Sequence, residues 1–524
     1  ICNEHLSHSK DSIIALYLSG IFSLQKGGID NQSLEILVDI FQKNHKESIV
    51  NYLCDNILAD DPNNKFALRT LANSYLADNN EKVWELYTTL VKIDFSEAEL
   101  AKTLAEHYDA EGNKEQAIEY YKKAILRYIN NDNYVACKDI WTKLVQEIPS
   151  EIEFFQLLRR KISKKFSDLK TTTLMQELYN WYKDNAKWDV AIDILKQNLE
   201  VEPKDTWARK ELADCYKAKY AGHSHLDEYI SSSNLTQNFR NVFEAINDFE
   251  KHIAFDKGCF VFHRNWGVGR IAKLDKDTLK INFGKKNGIR DMSLKMAVTA
   301  LQPLSKDHIW VLKATTPREE LAKKIKADKK WALQTIIKSF DNNCDFKRIK
   351  AELVPVILTP GEWTSWNTAA KKLLETDATF GVNPNDINIY MVRENEISPE
   401  EKLSNEFKAQ KQFFARIDIL MKFLNNDLTD KSSELFAEMY SYFTNYLKSI
   451  SKVDEHVIAS YLVVKKLSAM DKQFNYPVKE TFAELYSRIE NPKAIYNELK
   501  DTKNTTLKKD FLDAIKMLPD WNVQ

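Results

Sequence analysis

Between His263 and Arg290 lie eight side chains suited to non-covalent recognition: His263, Arg264, Asn265, Trp266 and Arg270, then Lys285, Lys286 and Arg290. A tryptophan with arginines around it is the composition of an energetic anchor at a protein interface, and the same ring could equally serve as an apolar plug of the fold that carries it. The same cations could instead sit on phosphates, with the aromatic ring stacking on bases. Two partner classes therefore follow from one cluster, a protein surface or DNA or RNA. Within the cluster, His263 reads as a residue that orients a turn through a hydrogen bond, and not as a general base.

Covalent and metal chemistry find little support elsewhere in the chain. Gly267-x-Gly269 lacks a third glycine and a following helix, so it is not a dinucleotide fingerprint, and no Walker-type phosphate loop occurs. Neither G-x-S-x-G nor H-E-x-x-H is present. His223-Ser224-His225 could touch a metal, but no carboxylate or thiol set stands at ligand spacing, and the segment reads as a solvated loop. The expectation is a non-enzyme with no catalytic residue, no metal and no cofactor.

The elements that must position the recognition cluster are short strands. From Gly258 to Leu304 the sequence breaks its helical periodicity. An apolar run, Cys259 to Phe262, is followed by Gly267-Val268-Gly269-Arg270-Ile271, a turn at Asp275-Lys276-Asp277, and then Leu279, Ile281 and Phe283 alternating with Lys280 and Asn282. Asn287-Gly288 is a hairpin-turn dipeptide. Four or five such strands cannot make a wide sheet, but they can close into a small SH3-like barrel that leaves few free edges.

Composition frames the insert. With 524 residues and 44% hydrophobic content the chain can bury several cores, and its length suggests about three or four domains. The 75 Lys and Arg against 76 Asp and Glu give a net charge of -1, so no global pull toward nucleic acid or membrane exists. Locally the balance differs: Lys257 to Lys295 holds ten basic and three acidic residues, and the bias continues through Lys323, Lys324, Lys326, Lys329 and Lys330. Six scattered cysteines with no C-x-x-C spacing argue for a reducing cytoplasm. The apolar stretch Ile13 to Leu24 is too short to span a bilayer, and no membrane association is expected. The chain begins with Ile1, which reads as a fragment.

Helical repeats organise the first part of the chain. Leu37, Val38, Phe41, Val50, Cys54, Ile57 and Pro62 follow the tetratricopeptide pattern, restarted at Leu71, Ala72 and Tyr75 and continued by Val83, Tyr87 and Leu90. The clearest copy is Leu104, Ala105, Tyr108, Ala117, Tyr121 and Ala124, with Gly112-Asn113 between its helices. Cys137, Trp141, Leu144 and Pro149 follow; an irregular helical stretch is expected around Phe154 to Lys170, after which Leu178, Tyr179, Tyr182, Ala191, Leu195 and Pro203 restore the phase. Leu212, Ala213 and Tyr216 open another copy. Such repeats stack into a superhelix whose groove grips a peptide or another protein.

Beyond the insert the chain is helical again. Pro317 with Arg318, Glu319 and Glu320 is a helix start. Trp363, Trp366, Ala370 and Leu374 lie on one helical face and read as core. Asp377 to Arg393 reads as a turn followed by one short strand, and the residues after Ser398 as a further α-solenoid with loops near Asn425, Asp454, Asn475-Tyr476-Pro477 and Asn491.

The string Gly258, Val261, His263, Trp266-Gly267, Gly269, Ile271, Leu279, Ile281, Phe283, Ala297, Leu301 and Pro303 resembles the Tudor-type barrel of UvrD/PcrA helicases. It is also similar to the polymerase-interacting modules of CarD and of the transcription-repair coupling factor. Those barrels dock on the RNA polymerase β subunit, so the resemblance implies contact with RNA polymerase. Taken with the repeats and the Trp-x-x-Trp helix followed by Asp377 and Phe380, the order of segments resembles the N-terminal extension of the long GreA transcript-cleavage factors of spirochaetes and chlamydiae. GreA proteins carry a coiled-coil finger with acidic residues at its tip, which the resemblance would place beyond Gln524. The expected fold is mainly α: a TPR-like helical superhelix over 1-240, a small inserted SH3/Tudor-like β-barrel over 250-305, a helical region with the Trp-x-x-Trp helix over 306-397, and a solenoid-like C-terminal α-helical region over 398-524.

Overall fold

The helices start where side chains can take up the free backbone N–H groups of a first turn. Asn113 accepts from Gln116 N–H, Ser167 from Lys170 N–H, and Asp205 from the N–H groups of Trp207 and Ala208. Thr359 and Glu362 form a reciprocal capping box with Pro360 in the first turn. In the computed structural model, residues 2–25, 32–223, 225–275, 278–393, 395–448, 450–470, 474, 476, 478, 480–501, 505–519 and 521 are described. The expected turn at Asp275-Lys276-Asp277 and the loop at Asn475-Tyr476-Pro477 fall in part outside them. The protein is mainly helical and divides into two compact units, one made of Ile1–Ile140 and Gln412–Gln524, the other of Trp141–Lys411.

In the first unit the helices Gln32–Lys43, Glu47–Asp60, Lys65–Ala77, Val83–Ile93, Ala98–Ala110 and Lys114–Asn130 each pack on the next. Their contacts use the small and apolar positions singled out from the sequence: Leu37, Val38, Cys54, Ala72, Leu90, Leu104, Ala105, Ala117 and Ala124 are all buried. Small residues at these sites let neighbouring helix axes approach closely. Helix Glu434–Thr444 packs against Lys114–Asn130. There the fully buried Arg127 donates through Nε to Glu434 Oε1 at 2.8 Å, and through its terminal nitrogens to the carbonyls of Val91, Asp94 and Glu97. Lys123 Nζ lies 3.2 Å from Asp430 Oδ2.

The second unit begins with Ile152–Lys165, Asp168–Asp184, Trp188–Val201 and Thr206–Lys219. The stretch expected to be irregular is a regular helix, Ile152–Lys165, because Phe155, Leu158 and Ile162 recur at helical spacing and are fully buried. Helices Leu226–Ser233 and Val242–Ile253 lead into the strands.

Five strands, β1 (Phe260–His263), β2 (Gly267–Asp275), β3 (Thr278–Asn282), β4 (Ile289–Ser293) and β5 (Leu301–Leu304), form one antiparallel sheet in the order β4-β3-β2-β1-β5. The inward faces supply a core of Val261, Ile271, Leu279, Ile281, Phe283, Met292, Leu294, Ala297, Leu301 and Leu304. Asn287-Gly288 lies in the β3–β4 hairpin as expected, with Gly288 at φ +66°, but the connection contains a helical turn, Gly284–Asn287, in place of a two-residue turn. A further helix that the strand pattern did not announce, Leu294–Ala300, joins the two edge strands and packs on both. No ladder between β4 and β5 is present among the described residues, so this helix stands where direct strand pairing would complete a barrel.

The segment after the sheet contains helices Ile309–Thr315, Arg318–Ala327, Lys329–Ser339, Phe346–Leu353 and Pro360–Thr376. Trp363, Trp366, Ala370 and Leu374 are buried as the helical spacing required, and Trp366 Nε1 donates to the Ile325 carbonyl at 3.0 Å. The reading of one short strand near Asp377 to Arg393 needs correction. Phe380–Asn383 (β7) and Asp386–Val392 (β8) form a hairpin, and the two-residue strand Cys344–Asp345 (β6) pairs with β8, giving the order β6-β8-β7. β7 is only four residues long and carries Gly381, so its strand pattern is weak in sequence. Phe346–Leu353, a short turn and Pro360–Thr376 are a helix-turn-helix, and the hairpin after it is a wing. Helix Pro399–Ala409 packs on that hairpin, and Lys402 Nζ donates to the carbonyls of Leu374 and Asp377, closing the end of the long helix.

Candidate protein-interaction surface

His263 ends β1 and Gly267 begins β2, and the two are cross-strand partners, so Arg264, Asn265 and Trp266 form the tight connection between them. Gly267 adopts φ +74°, a backbone conformation that a side chain would strain. The Asn265 N–H donates to His263 Nδ1 at 3.2 Å, which fixes the imidazole as the sequence led one to expect. Its ring lies nearly parallel to that of Trp266, with centroids 3.9 Å apart and an interplanar angle of 16°. Trp266 in turn meets Phe283 edge-on at 5.3 Å.

Phe283 can lie there because position 269 has no side chain. A Cβ on Gly269 would fall 2.7 Å from the Phe283 ring and 2.8 Å from Ile281. On the other side, the Arg290 guanidinium sits 5.3 Å from the Trp266 ring centroid, a cation–π distance. Asn287 Nδ2 donates to the Trp266 carbonyl at 2.9 Å, while Arg290 Nε donates to the Asn287 carbonyl at 3.2 Å. Three segments, the β1–β2 connection, the Gly284–Asn287 turn and β4, are thereby locked around one indole.

Trp266 is half-buried and stands at the end of the core row, outside the fully buried set. Arg264, Asn265, Lys285, Lys286 and Arg290 are exposed around it, and Ile289 beside them is 64% exposed. Arg270 does not belong to this group. Directly opposite Phe260 in the ladder, it projects from the other face of the sheet, with its guanidinium 5.8 Å from the Phe260 ring. On that same face Phe262 packs on Trp310 at 4.5 Å. The expected ring of arginines therefore loses Arg270 and keeps Arg264 and Arg290, because side chains alternate across a strand and Arg270, next to Gly269 in β2, points to the other face.

The histidine pair also differs from expectation. His223 is half-buried, with Nε2 3.9 Å from Asp256 Oδ2, and desolvation of its ring lowers its pKa from the ordinary value. His225 bonds Glu228 at 3.1 Å, and Ser224 lies outside the described residues. No group of three or more His, Cys, Asp or Glu side chains is arranged to hold a metal ion among the described residues. Burial pushes the thiols of Cys54, Cys137 and Cys344 up to about 12, far from thiolate chemistry at neutral pH. Among the described residues no helix is long and apolar enough to cross a membrane.

A helical chain with an inserted five-stranded module and a winged helix-turn-helix is the class that these features define. Two family models match it: the GRAD helix-turn-helix domain over residues 310–397 and the GreA-associated C-terminal domain over residues 399–524. A "Putative GreA-associated domains protein" of Treponema pallidum (strain Nichols) is 50% identical over 523 residues, covering 100% of this chain and 78% of the relative. The chain belongs to this GreA-associated domain family. A "Transcription elongation factor GreA" of Borreliella burgdorferi is 32% identical over 99% of the chain, which spans 58% of that relative's length. A protein of the same title from Chlamydia trachomatis is 29% identical over 23% of the chain and 17% of its own length. The wing, the helix-turn-helix and the Arg127–Glu434 pair were not read from the sequence. For the first two, the Asn383-Pro384-Asn385-Asp386 turn was the available signal.

Proposed function

We propose that this chain is the non-catalytic, protein-binding part of a GreA-type transcription elongation factor and that its β module docks on RNA polymerase, with the β subunit as the contacted surface. The observation that carries the reading is the His263–Trp266–Arg290 stack, a half-buried indole held rigid and bordered by exposed cations. Interface anchors have this character: a large aromatic, pre-ordered by its neighbours, with little side-chain entropy left to lose on binding. The relation of nearly the whole chain to a protein titled transcription elongation factor GreA supports the polymerase as partner. In this reading the helical repeats are TPR-like and offer a second surface to a peptide or protein, and the molecule works in the cytoplasm.

The test is a pull-down of RNA polymerase from the cognate organism. Trp266→Ala with Arg290→Ala should abolish capture, at a cost to the module of roughly 2–4 kcal/mol for the lost ring and cation–π contacts, and a melt of the same preparation checks that it stays folded. Arg270→Ala, on the opposite face, should leave capture intact. Retained capture by the stable double variant would remove this surface from consideration.

The ten basic against three acidic residues from Lys257 to Lys295 favour a second reading, in which the module binds nucleic acid. Steep loss of binding with rising salt, on DNA or RNA alone, would select it over protein docking.

A further inference from the structure

Residues 234–241, the loop between helices Leu226–Ser233 and Val242–Ile253, are held from below by one side chain of another helix. Arg209, on Thr206–Lys219, is 1% exposed and directs its guanidinium at backbone carbonyls. Its Nε and Nη2 donate to the Pro203 carbonyl at 2.9 and 2.7 Å, its Nη1 to those of Leu235 and Gln237 at 3.3 and 2.7 Å, and its Nη2 to that of Arg240 at 3.1 Å. Arg240 Nη1 donates to the Ser233 carbonyl at 2.7 Å, and its guanidinium is paired with Asp248. Asn241 closes the far end by accepting from the N–H groups of Phe243 and Glu244.

On this clamped backbone Phe239 is 81% exposed, the most exposed aromatic side chain among the described residues, and Phe243, in the first turn of the next helix, is 38% exposed. The fold gains almost nothing from the Phe239 ring. An exposed apolar side chain alone needs no explanation, but a large ring on a backbone fixed by a buried arginine is ordered in advance for a partner. Thr236, Gln237, Asn238, Asn241 and Asn247 are exposed and uncharged, and Asp248 neutralises Arg240. The loop therefore lacks the cations that would draw it to phosphates or anionic lipid, and its complement is an uncharged apolar pocket on a protein.

The position of the loop points to which protein. Val242–Ile253 packs on Leu294–Ala300 of the β module, and its 12 residues span about 18 Å. A standard interface of ~800 Å² per partner is roughly 30 Å across, so loop and module fall within the breadth of one interface. We propose that the Phe239 loop is a second anchor for the partner of the β module, inserting Phe239, with Phe243 beside it, into an apolar pocket of RNA polymerase. The inference rests on the reading that the module docks on the polymerase, and adds a second contact carried on a helix that packs against that module. Two anchors on one body share a single loss of translational and rotational freedom, so removal of either is felt in the affinity.

Biolayer interferometry of the full chain on purified RNA polymerase of the cognate organism tests it. Phe239→Ala should weaken binding by roughly tenfold or more with an unchanged melting temperature, and Phe239→Leu, which keeps apolar bulk, should lie between. Leu428→Ala, which removes a 77% exposed apolar side chain from the other compact unit, should leave affinity unchanged. Equal affinity of Phe239→Ala and wild type would overturn the second anchor and leave docking through Trp266 standing, whereas absence of polymerase binding by wild type would overturn both. An equal loss in Leu428→Ala would overturn it by showing that the effect is not specific to the loop. So would a Phe239-dependent dimer in sedimentation, or Phe239-dependent binding to phosphatidylcholine vesicles, with polymerase affinity unchanged; these would make a second copy or a lipid surface the occupant.

Discussion

At the scale of single residues, chemistry depends on what each side chain faces. Seven of the eight residues named from sequence surround the Gly284–Asn287 turn and the β1–β2 connection, and their types were legible because tryptophan, arginine and lysine are rare combinations in a core. Arg270 was misplaced by the same reasoning, since its face follows from strand register, which composition does not report. Asp94 shows how environment decides titration. Burial alone would raise its pKa, but hydrogen bonds from Ser96 and the Lys65 ammonium outweigh that and hold it at about 2. The folded-state value lies below the unfolded one, so this carboxylate stabilises the fold above about pH 4 and the contribution fades as pH falls through about 2. Urea unfolding of Asp94→Asn should accordingly show a deficit against wild type near neutral pH that narrows steadily below about pH 4.

At the scale of elements, the β module depends on one missing side chain. Gly269 lets Phe283 lie flat on β2, and Phe283 supports the edge of Trp266. Gly269→Ala should destabilise the module by about 1–3 kcal/mol, because the added Cβ would overlap both the buried Phe283 ring and Ile281, and one of them must shift. The same variant should lower polymerase capture, since the indole loses its support; thermal melting and pull-down on one preparation would show whether the two effects travel together. Helical stripes such as Trp363, Trp366, Ala370 and Leu374 were readable because their period is local. The wing was not, because β6 and β8 pair through Cys344–Tyr390 and Asp345–Ile389, contacts far apart in sequence and only two residues long.

At the scale of the whole molecule, the chain's first and last parts share one compact unit. Within it Arg127 and Glu434 form a buried ion pair at 2.8 Å, and Arg127 also satisfies three carbonyls. Burial raises the Glu434 carboxyl pKa, and the arginine opposes that shift. Arg127→Met should cost about 3–5 kcal/mol, because it leaves a buried carboxylate without its cation. Adding Glu434→Leu should recover part of that loss, and failure to recover any would mean that the carbonyl contacts, not the charge pair, dominate. Differential scanning calorimetry, which can separate the transitions of two units, is the suitable measurement.

By itself the sequence determined the mainly helical class, the buried positions of successive helices, the site of the β insert, and the residue types gathered around Trp266. These are encoded in spacings of two to four residues, where backbone geometry leaves few alternatives. Only the tertiary structure decided that Arg290 and not Arg270 covers the indole, that a two-residue strand completes the wing, and that Glu434, which reads as an ordinary helix-start acid, is buried against Arg127. Each of these depends on the register or packing of segments distant in the chain, and a partner's identity at such range is set by shape and charge complementarity that no local pattern records.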